Sequence, residues 1–275
     1  MRTVTRWLRT PKGIFALMLV CCTAVAGTSV GWVTVLPGLA VAVAVAVALD
    51  APLLRWRNGR WVLPDGAMLT GWLIALVLSP HEAWWIAGAT SALGIAAKHL
   101  LHAGRANVLN PAAAGLVASY HLFDSGQSWW GAMPEGSVWW ILLLVALGAV
   151  MAQRLHKATA ALVFLGTWFA AATVVAYVGD PVRVVEVFRA PDLQAAVFFA
   201  AFMLTDPPTS PPKVDDQIVY GILVAVAAFA VLTLVGAAHF LLSGVLVGNL
   251  WEGWRKRRVR ARHHAAVAGA ARAAA

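Results

Sequence analysis

The sequence predicts an all-α integral membrane protein with about ten transmembrane helices, and three observations lead to this class. Of the 275 residues, 61% are hydrophobic and only 12% are charged, whereas soluble domains are about half apolar and about a quarter charged. The mean hydropathy of the chain is +0.75. The apolar residues also form successive runs close to the length that a helix needs to cross a bilayer. We expect the first of these runs to be retained as a helix.

Ten apolar runs, separated by polar or turn-forming residues, are predicted to be helices. In chain order they are 13–30, 33–50, 66–80, 83–98, 108–123, 138–153, 158–178, 193–205, 217–236 and 239–252. A full crossing needs about 20 residues, and we single out four runs as short for one. We expect half-helices or steeply packed inner elements at 66–80, 108–123, 193–205 and 239–252.

The basic residues predict the orientation of these spans. With a cytoplasmic N-terminus, the outer loops keep only Arg183 and Arg189 among the Lys and Arg residues. This is the positive-inside pattern, so we expect both termini on the cytoplasmic side of the membrane. We expect that membrane to be the inner membrane of a bacterial cell. The predicted regions are a basic N-terminus 1–12, a membrane domain 13–252 and a basic, Ala-rich tail 253–275 with a frayed end. We assign the net charge of +9 to topology and lipid headgroups, and expect no nucleic-acid partner.

Two short segments that lie five spans apart resemble each other. The third span contains 73–80 (LIALVLSP) and the eighth contains 199–207 (FAAFMLTDP), and in both a Ser or Thr comes shortly before Pro. Because an odd number of spans reverses the chain direction, this offset predicts two inverted five-helix repeats. Helices that end near Pro leave carbonyl groups without partners. We therefore expect the two breaks to face one another from opposite leaflets and to form a polar site.

Two polar strings lie directly against apolar runs, at 104–117 (GRANVLNPAAAGLV) and 202–212 (FMLTDPPTSPP). An unpaired polar group in hydrocarbon costs several kcal/mol, so such strings are expected only where protein or a water-filled cavity surrounds them. The candidate binding residues of these strings are Asn107, Asn110, Thr205, Asp206, Thr209 and Ser210.

These candidates also have purely structural interpretations. Asn110 comes before Pro111 and could simply cap a helix that begins there. The second string could be a Pro-rich inner loop with an Asx turn. Cys21 and Cys22 are neighbours in the first span, where small packing residues are more common than a metal or redox site. No metal-ligand cluster or nucleotide-binding motif is evident in the sequence.

Several of these segments resemble the membrane-embedded D subunit of Rnf electron-transport complexes and the related B subunit of sodium-translocating NADH:quinone reductases. The matching landmarks are DGAMLTGWLIALVLSP, GRANVLNPAAAGLV, FMLTDPPTSPP and LLSGVLVGNL, in this order. The resemblance covers most of the predicted membrane domain and implies a ten-helix inverted repeat similar in fold to urea transporters.

The same resemblance implies flavin chemistry. Members of the family carry one FMN joined by a phosphoester to the Thr of an S-G-A-T motif on the outer face, and some hold a second, non-covalent flavin. For this chain it implies a bound flavin (FMN or riboflavin) and partner subunits, both membrane and peripheral, within an oxidoreductase complex. A cytoplasmic helix end carries Lys98, His99 and Arg105, and cationic groups there would steady a flavin phosphate. Alternatively, Lys98 reaches lipid headgroups.

The sequence departs from the family at the outer loop. Ser125, Gly126, Gln127 and Ser128 stand where S-G-A-T is expected. Ser128 is thus the candidate acceptor for covalent FMN, and an ordinary Gly/Ser turn is the alternative. We expect the flavin to be non-covalent.

Three functions follow from these expectations. The first is a flavin-holding membrane subunit of an Rnf/Nqr-type electron-transport complex, with ion translocation as a coupled activity. The second is a flavin-free channel or transporter on the same scaffold, and the third is a membrane anchor or assembly factor for a redox pathway.

Overall fold

The computed structural model describes Trp7 and residues 10–103, 106–134, 137, 139–179 and 181–273. Within this part of the chain the α-helices are α1 Pro11–Val30, α2 Trp32–Asn58, α3 Asp65–Val77, α4 Trp84–Leu100, α5 Pro111–Phe123, α6 Trp139–Arg154, α7 Ala158–Val178, α8 Asp192–Phe202, α9 Val214–Ala230 and α10 Phe240–Ala273. An antiparallel hairpin of two-residue strands, β1 His102–Ala103 and β2 Ala106–Asn107, connects α4 to α5. A π-helical turn, Val231–Val235, extends α9.

These helices confirm the predicted helical membrane class, because each predicted span corresponds to one helix. Four helices are long and apolar enough to cross a bilayer, namely Pro11–Val30, Trp32–Asn58, Ala158–Val178 and Val214–Val235. Helices α3, α5 and α8 have 13, 13 and 11 residues, or about 16–20 Å at 1.5 Å per residue. They are shorter than the hydrocarbon core, as predicted for these three runs.

The last helix is longer than predicted. It continues from Phe240 through the basic segment to Ala273, over 34 residues. The expectation of a short span at 239–252 followed by a frayed tail is therefore wrong for this element. Alanine and arginine are strong helix formers, which explains why the helix continues beyond the apolar run.

The same pairs of helices pack together in each half of the chain. In the first half α2 packs on α4 and α4 on α5, and in the second half α7 packs on α9 and α9 on α10. A Cβ atom on Gly115 of α5 would lie 2.6 Å from the carbonyl oxygen of Thr90 in α4. A Cβ atom on Gly244 of α10 would lie 2.7 Å from the carbonyl oxygen of Val224 in α9. Close backbone contact at small residues is common between membrane helices, and both halves use it.

Helices α5 and α10, the last of each half, lie side by side in opposite directions. At the start of α5, the Asn110 N–H donates to Oδ1 of Asn249 within α10 at 2.7 Å. At the other end, the rings of Tyr120 in α5 and His239 just before α10 have centroids 4.7 Å apart. The equivalent helices of the two halves are thus antiparallel, as an inverted repeat requires.

The break after α3 contacts the loop that follows α5. The Ser79 N–H donates to the Gly126 carbonyl at 2.9 Å, and the Ser128 N–H donates to the Val77 carbonyl at 3.0 Å. The Trp130 indole N–H donates to the Ala75 carbonyl at 2.6 Å. The expectation that the carbonyl groups at the end of α3 lack partners is therefore wrong, because this loop satisfies them.

Candidate functional site

A cavity of about 810 Å³ lies between the starts of α1, α3 and α5, the end of α4 and the segment after α8. Most of its wall is apolar, with Phe15, Leu69, Leu73 and Phe202 among the lining side chains. Pockets of roughly 300–1,000 Å³ with apolar walls and a few polar groups are typical of sites for small organic ligands. This cavity is the candidate site.

Five of the predicted binding residues line this one cavity. They are Lys98, Asn107, Asn110, Thr205 and Asp206. The two polar strings, at the start of α5 and after α8, therefore meet although they are far apart in the sequence.

The other four predicted residues do not line the cavity or cannot be placed. Thr209 and Ser210 are buried in the same loop but stand outside the cavity wall. Ser128 follows the opposite end of α5, a helix of 13 residues that is about 20 Å long. Arg105 lies outside the described residues.

Asn110 connects the two polar strings. Its Oδ1 accepts the N–H of Ala113 at 3.1 Å, which is the helix cap predicted from the sequence. Its Nδ2 donates to the carbonyl of Met203 at 3.2 Å, at the end of α8. The Asn110 side chain thus caps α5 and joins it to the end of α8. Asn110 also lines the cavity.

Asn249 completes this connection from α10. It is fully buried, and its Oδ1 accepts the backbone N–H of Asn110. Its Nδ2 donates to the carbonyl of Thr209 at 3.2 Å and to the hydroxyl of Tyr220 at 2.9 Å. Neither Asn249 nor Tyr220 was predicted as a site residue. The feature of the sequence that could have identified Asn249 is a single amide side chain in an apolar span, because such a side chain requires buried partners.

The loop after α8 is stabilised by its own side chains. The Thr209 hydroxyl donates to Oδ2 of Asp206 at 2.8 Å, and the Ser210 hydroxyl donates to the Asp206 carbonyl at 2.8 Å. The Thr205 hydroxyl donates back to the Ala201 carbonyl at 2.6 Å. The Asx turn of the structural alternative is not formed, because Pro208, two residues after Asp206, has no N–H group to donate and the carboxylate accepts the Thr209 hydroxyl instead. The carboxyl group of Asp206 lies at the cavity.

Two charged groups of this region have shifted pKa values. Burial raises the pKa of the Asp206 carboxyl to about 6, while the hydrogen bond from Thr209 and the charge of Lys157 oppose the shift. Burial lowers the pKa of the Lys157 ammonium to about 8, against the attraction of Glu252. Lys157 donates to the carbonyls of Ser210 and Pro211 and so holds the far end of the loop.

A buried ion pair on the cavity wall was not predicted from the sequence. Asp50 in α2 has no exposed surface, and Lys98 Nζ lies 2.8 and 2.9 Å from its two oxygens. His99 Nε2 lies 2.7 Å from Oδ1 of the same carboxylate. Asp50 and Lys98 both line the cavity. A lone acidic residue in a long apolar helix was the signal, since such residues are rare unless they are paired or functional.

Residues of the N-terminal segment form part of the cavity wall. Trp7, Thr10 and Lys12 line it, and Lys12 Nζ pairs with Asp65 at the start of α3 at 2.7 Å. The pair is partly exposed. It joins α1 to α3 beside the cavity.

Ser128 is half-buried as a residue. Its hydroxyl oxygen is buried and has no hydrogen-bond partner among the described residues. The neighbouring Ser125 hydroxyl lies 2.9 Å from the Ser119 hydroxyl inside the bundle. Both serines of the loop thus point into protein.

The described residues contain no group of three His, Cys, Asp or Glu side chains suited to a metal ion. Cys22 is buried in the apolar core and Cys21 is half-buried beside it, and both thiols are free. This agrees with the packing role favoured for the two cysteines.

Comparison with known proteins gives a family match over nearly the whole chain. The model of the NQR2, RnfD, RnfE family matches twice, at residues 8–137 and 123–262. The two matches divide the chain between α5 and α6, where the two structural halves also meet.

Two curated relatives are both described as the D subunit of an ion-translocating oxidoreductase complex. The protein from Stutzerimonas stutzeri is 37% identical over 131 residues, which cover 44% of this chain and 36% of the relative. The protein from Vibrio atlanticus (strain LGP32) is 36% identical over 107 residues, which cover 37% of this chain and 30% of the relative. The aligned segment spans about a third of the length of these relatives.

Proposed function

The chain belongs to the NQR2, RnfD, RnfE family, and from this premise we propose that it is a membrane subunit of an Rnf-type, ion-translocating electron-transport complex. Its relatives are named as the D component of an ion-translocating oxidoreductase complex. The proposed partners are the other membrane and peripheral redox subunits of such a complex. We place the cavity on the cytoplasmic side of the inner membrane, because Lys12, Lys98 and Lys157 lie at or near it.

The cavity is the proposed site of a non-covalently bound flavin, FMN or riboflavin. A bound flavin would accept electrons and pass them on, while the protein supplies orientation and electrostatics. The observation that carries this proposal is that residues of both polar strings, 104–117 and 202–212, line one cavity of about 810 Å³. The volume and the apolar wall suit a flat ring system with a polar edge.

Different lining residues suit different parts of a flavin. Phe15, Leu69 and Leu73 provide apolar surface for the faces of a ring. The Asn110 amide has a second N–H group beyond the one that it donates to Met203. Together with Asn107 it could bind the polar edge of the ring, and the Lys98 ammonium could attract an anionic group.

Aromatic side chains pack behind the cavity wall at Phe202. Phe202 in the wall contacts Phe198 with ring centroids 4.9 Å apart, and Phe198 contacts Trp129 of the outer loop at 6.3 Å. All three side chains are buried. This packing favours a binding site that opens on one side over the alternative of a solute channel.

The absorption spectrum of the protein, purified from its native membrane with its partner subunits, tests this proposal. We expect a yellow protein whose flavin is released by denaturation, because no covalent bond is proposed. A colourless protein that carries solute across liposome membranes would support the channel instead. A colourless protein without solute flux would leave the membrane anchor as the better account.

A further inference from the structure

The ion pair of Asp50 and Lys98 on the cavity wall has a third member, His99, whose side chain lies outside that wall. The side chain of Asp50 is fully buried, whereas those of Lys98 and His99 are 18% and 19% exposed. Asp50 and Lys98 line the cavity, but His99 does not. Three hydrogen-bonded groups thus lead from a partly exposed imidazole in the last turn of α4, through a buried carboxylate, to an ammonium group at the cavity.

A structural ion pair alone would not require the imidazole. Lys98 already neutralises Asp50 with a hydrogen bond to each oxygen, and buried ion pairs of this kind contribute little net stability compared with apolar residues. An imidazole, however, is the side chain that exchanges protons near neutral pH. With His99 neutral the triad has no net charge, and with His99 protonated it carries one positive charge.

We propose that His99, Asp50 and Lys98 form a proton-exchange site that connects water at the surface of the bundle with the cavity. The exchange itself does not depend on the ligand, whereas delivery of the proton to a flavin rests on the proposed function. In the transfer, the Lys98 Nζ–H bond breaks and its proton passes to an acceptor in the cavity. A bound flavin would supply such an acceptor when the redox partners reduce it. Nζ regains a proton through the Asp50 carboxylate, which receives it from His99 Nε2. His99 takes a proton from water, so one proton crosses the triad and no electron moves within it.

The charges around the triad are compatible with this exchange. On α1 and α3, Lys12 and Asp65 neutralise each other at 2.7 Å. Asp206, after α8, lines the same cavity and accepts a hydrogen bond from Thr209. Asp50 therefore has its closest charged partners on α4, in Lys98 and His99.

Infrared difference spectroscopy of the purified protein at two pH values tests the exchange without any ligand. Between the two pH values we expect a histidine ring band and a carboxylate band to change together. His99→Gln should remove both changes, and Asp50→Asn should remove the carboxylate change alone. His81→Gln is the matched control, because His81 is an exposed histidine in the loop after α3 and its loss should leave the coupled bands intact.

If the coupled bands are absent from the wild type, or if His99→Gln and His81→Gln give the same spectra, the proposal is overturned. Asp50→Asn leaves Lys98 without its partner, so the variant Asp50→Asn/Lys98→Met, which removes both charges, serves if the single variant does not fold. The absorption spectrum of the same sample reports separately on the flavin.

In samples that contain flavin, rapid kinetic measurements of proton uptake during reduction test the delivery of the proton. We expect His99→Gln to slow proton uptake during reduction by about a hundredfold, in the usual range for a lost acid–base group. Added imidazole should restore the rate, because it replaces the missing proton donor. Unchanged proton uptake in this variant would contradict the delivery step.

Discussion

The backbone N–H of Asn110 donates a 2.7 Å hydrogen bond to the side-chain oxygen of Asn249, a residue 139 positions later in the chain. This bond joins the first helix turn of α5 to α10, and so joins the two halves of the protein beside the cavity. Since Asn249 also bonds Thr209 and Tyr220, one buried amide holds four segments in place.

Replacing Asn249 with alanine should destabilise the fold strongly. The change leaves the Asn110 N–H, the Tyr220 hydroxyl and the Thr209 carbonyl without this partner. Each buried group left unpaired costs about 1–3 kcal/mol, so we expect a loss of several kcal/mol in the free energy of unfolding. Tyr220→Phe, which removes a single bond, should cost about 1 kcal/mol. Unfolding in detergent measures both, and equal stabilities of the two variants would contradict this role.

Replacing Asp206 with asparagine should change the pH dependence of stability. The pKa of Asp206 is about 6 in the folded protein, above its ordinary value of 3.8, because burial disfavours the charged form. A carboxyl group with a raised pKa in the folded state stabilises the fold fully below the unfolded value, and this contribution is lost as the pH rises through the folded value.

Asparagine keeps an oxygen that can accept the hydrogen bond from Thr209 but carries no charge. We therefore expect Asp206→Asn to be more stable than the wild type above about pH 7 and similar to it near pH 4. Melting temperatures across this range provide the measurement. A difference that does not vary with pH would show that burial of the charge is not the cause.

The contact between α4 and α5 should not tolerate a methyl group at Gly115. A Cβ atom there would lie 2.6 Å from the Thr90 carbonyl oxygen and 2.9 Å from the Gly94 nitrogen. Gly115→Ala should therefore separate the helices and reduce both stability and folded yield. Gly166→Ala is the control, because a Cβ atom on Gly166 has no neighbour within 4 Å among the residues that the structure describes, and alanine in a helix is favoured by about 0.5–1 kcal/mol. Similar behaviour of the two variants would count against this packing.

Ser128 should carry no covalent flavin. Its hydroxyl oxygen is buried in the described part of the structure and lies at the opposite end of α5 from the cavity. Mass spectrometry of the peptide that contains Ser128, after co-expression with a flavin transferase, should show the unmodified mass. Ser128→Ala should leave the flavin content of the purified protein unchanged. An FMN adduct on this peptide would contradict the prediction.

The apolar runs predicted the helices, but the ends of the helices also depended on helix propensity and on contacts. The run 239–252 indicated the start of α10, whereas its end at Ala273 depended on helix propensity beyond the membrane. The similarity of 73–80 to 199–207 correctly indicated related elements. It could not show that the loop at Gly126 pairs with the end of α3, because that contact joins segments far apart in the sequence.

The candidate site was predicted where polar residues form strings and missed where they stand alone. Asn107, Asn110, Thr205 and Asp206 were found in this way and line one cavity. Asp50 and Asn249 are single polar residues within apolar helices, and their importance depends on partners that only the fold brings near. Lys98 was identified, but its pairing with Asp50 was not foreseen.

The most direct test of the central claim is the flavin-to-protein ratio of two matched tryptophan variants. Leu73→Trp adds bulk to the cavity wall, whereas Leu162→Trp adds the same bulk on α7 at a position that is 69% exposed. If the cavity holds the flavin, Leu73→Trp should purify folded but nearly free of flavin, and Leu162→Trp should keep the wild-type ratio. A wild-type ratio in folded Leu73→Trp protein would show that any flavin of this protein binds elsewhere.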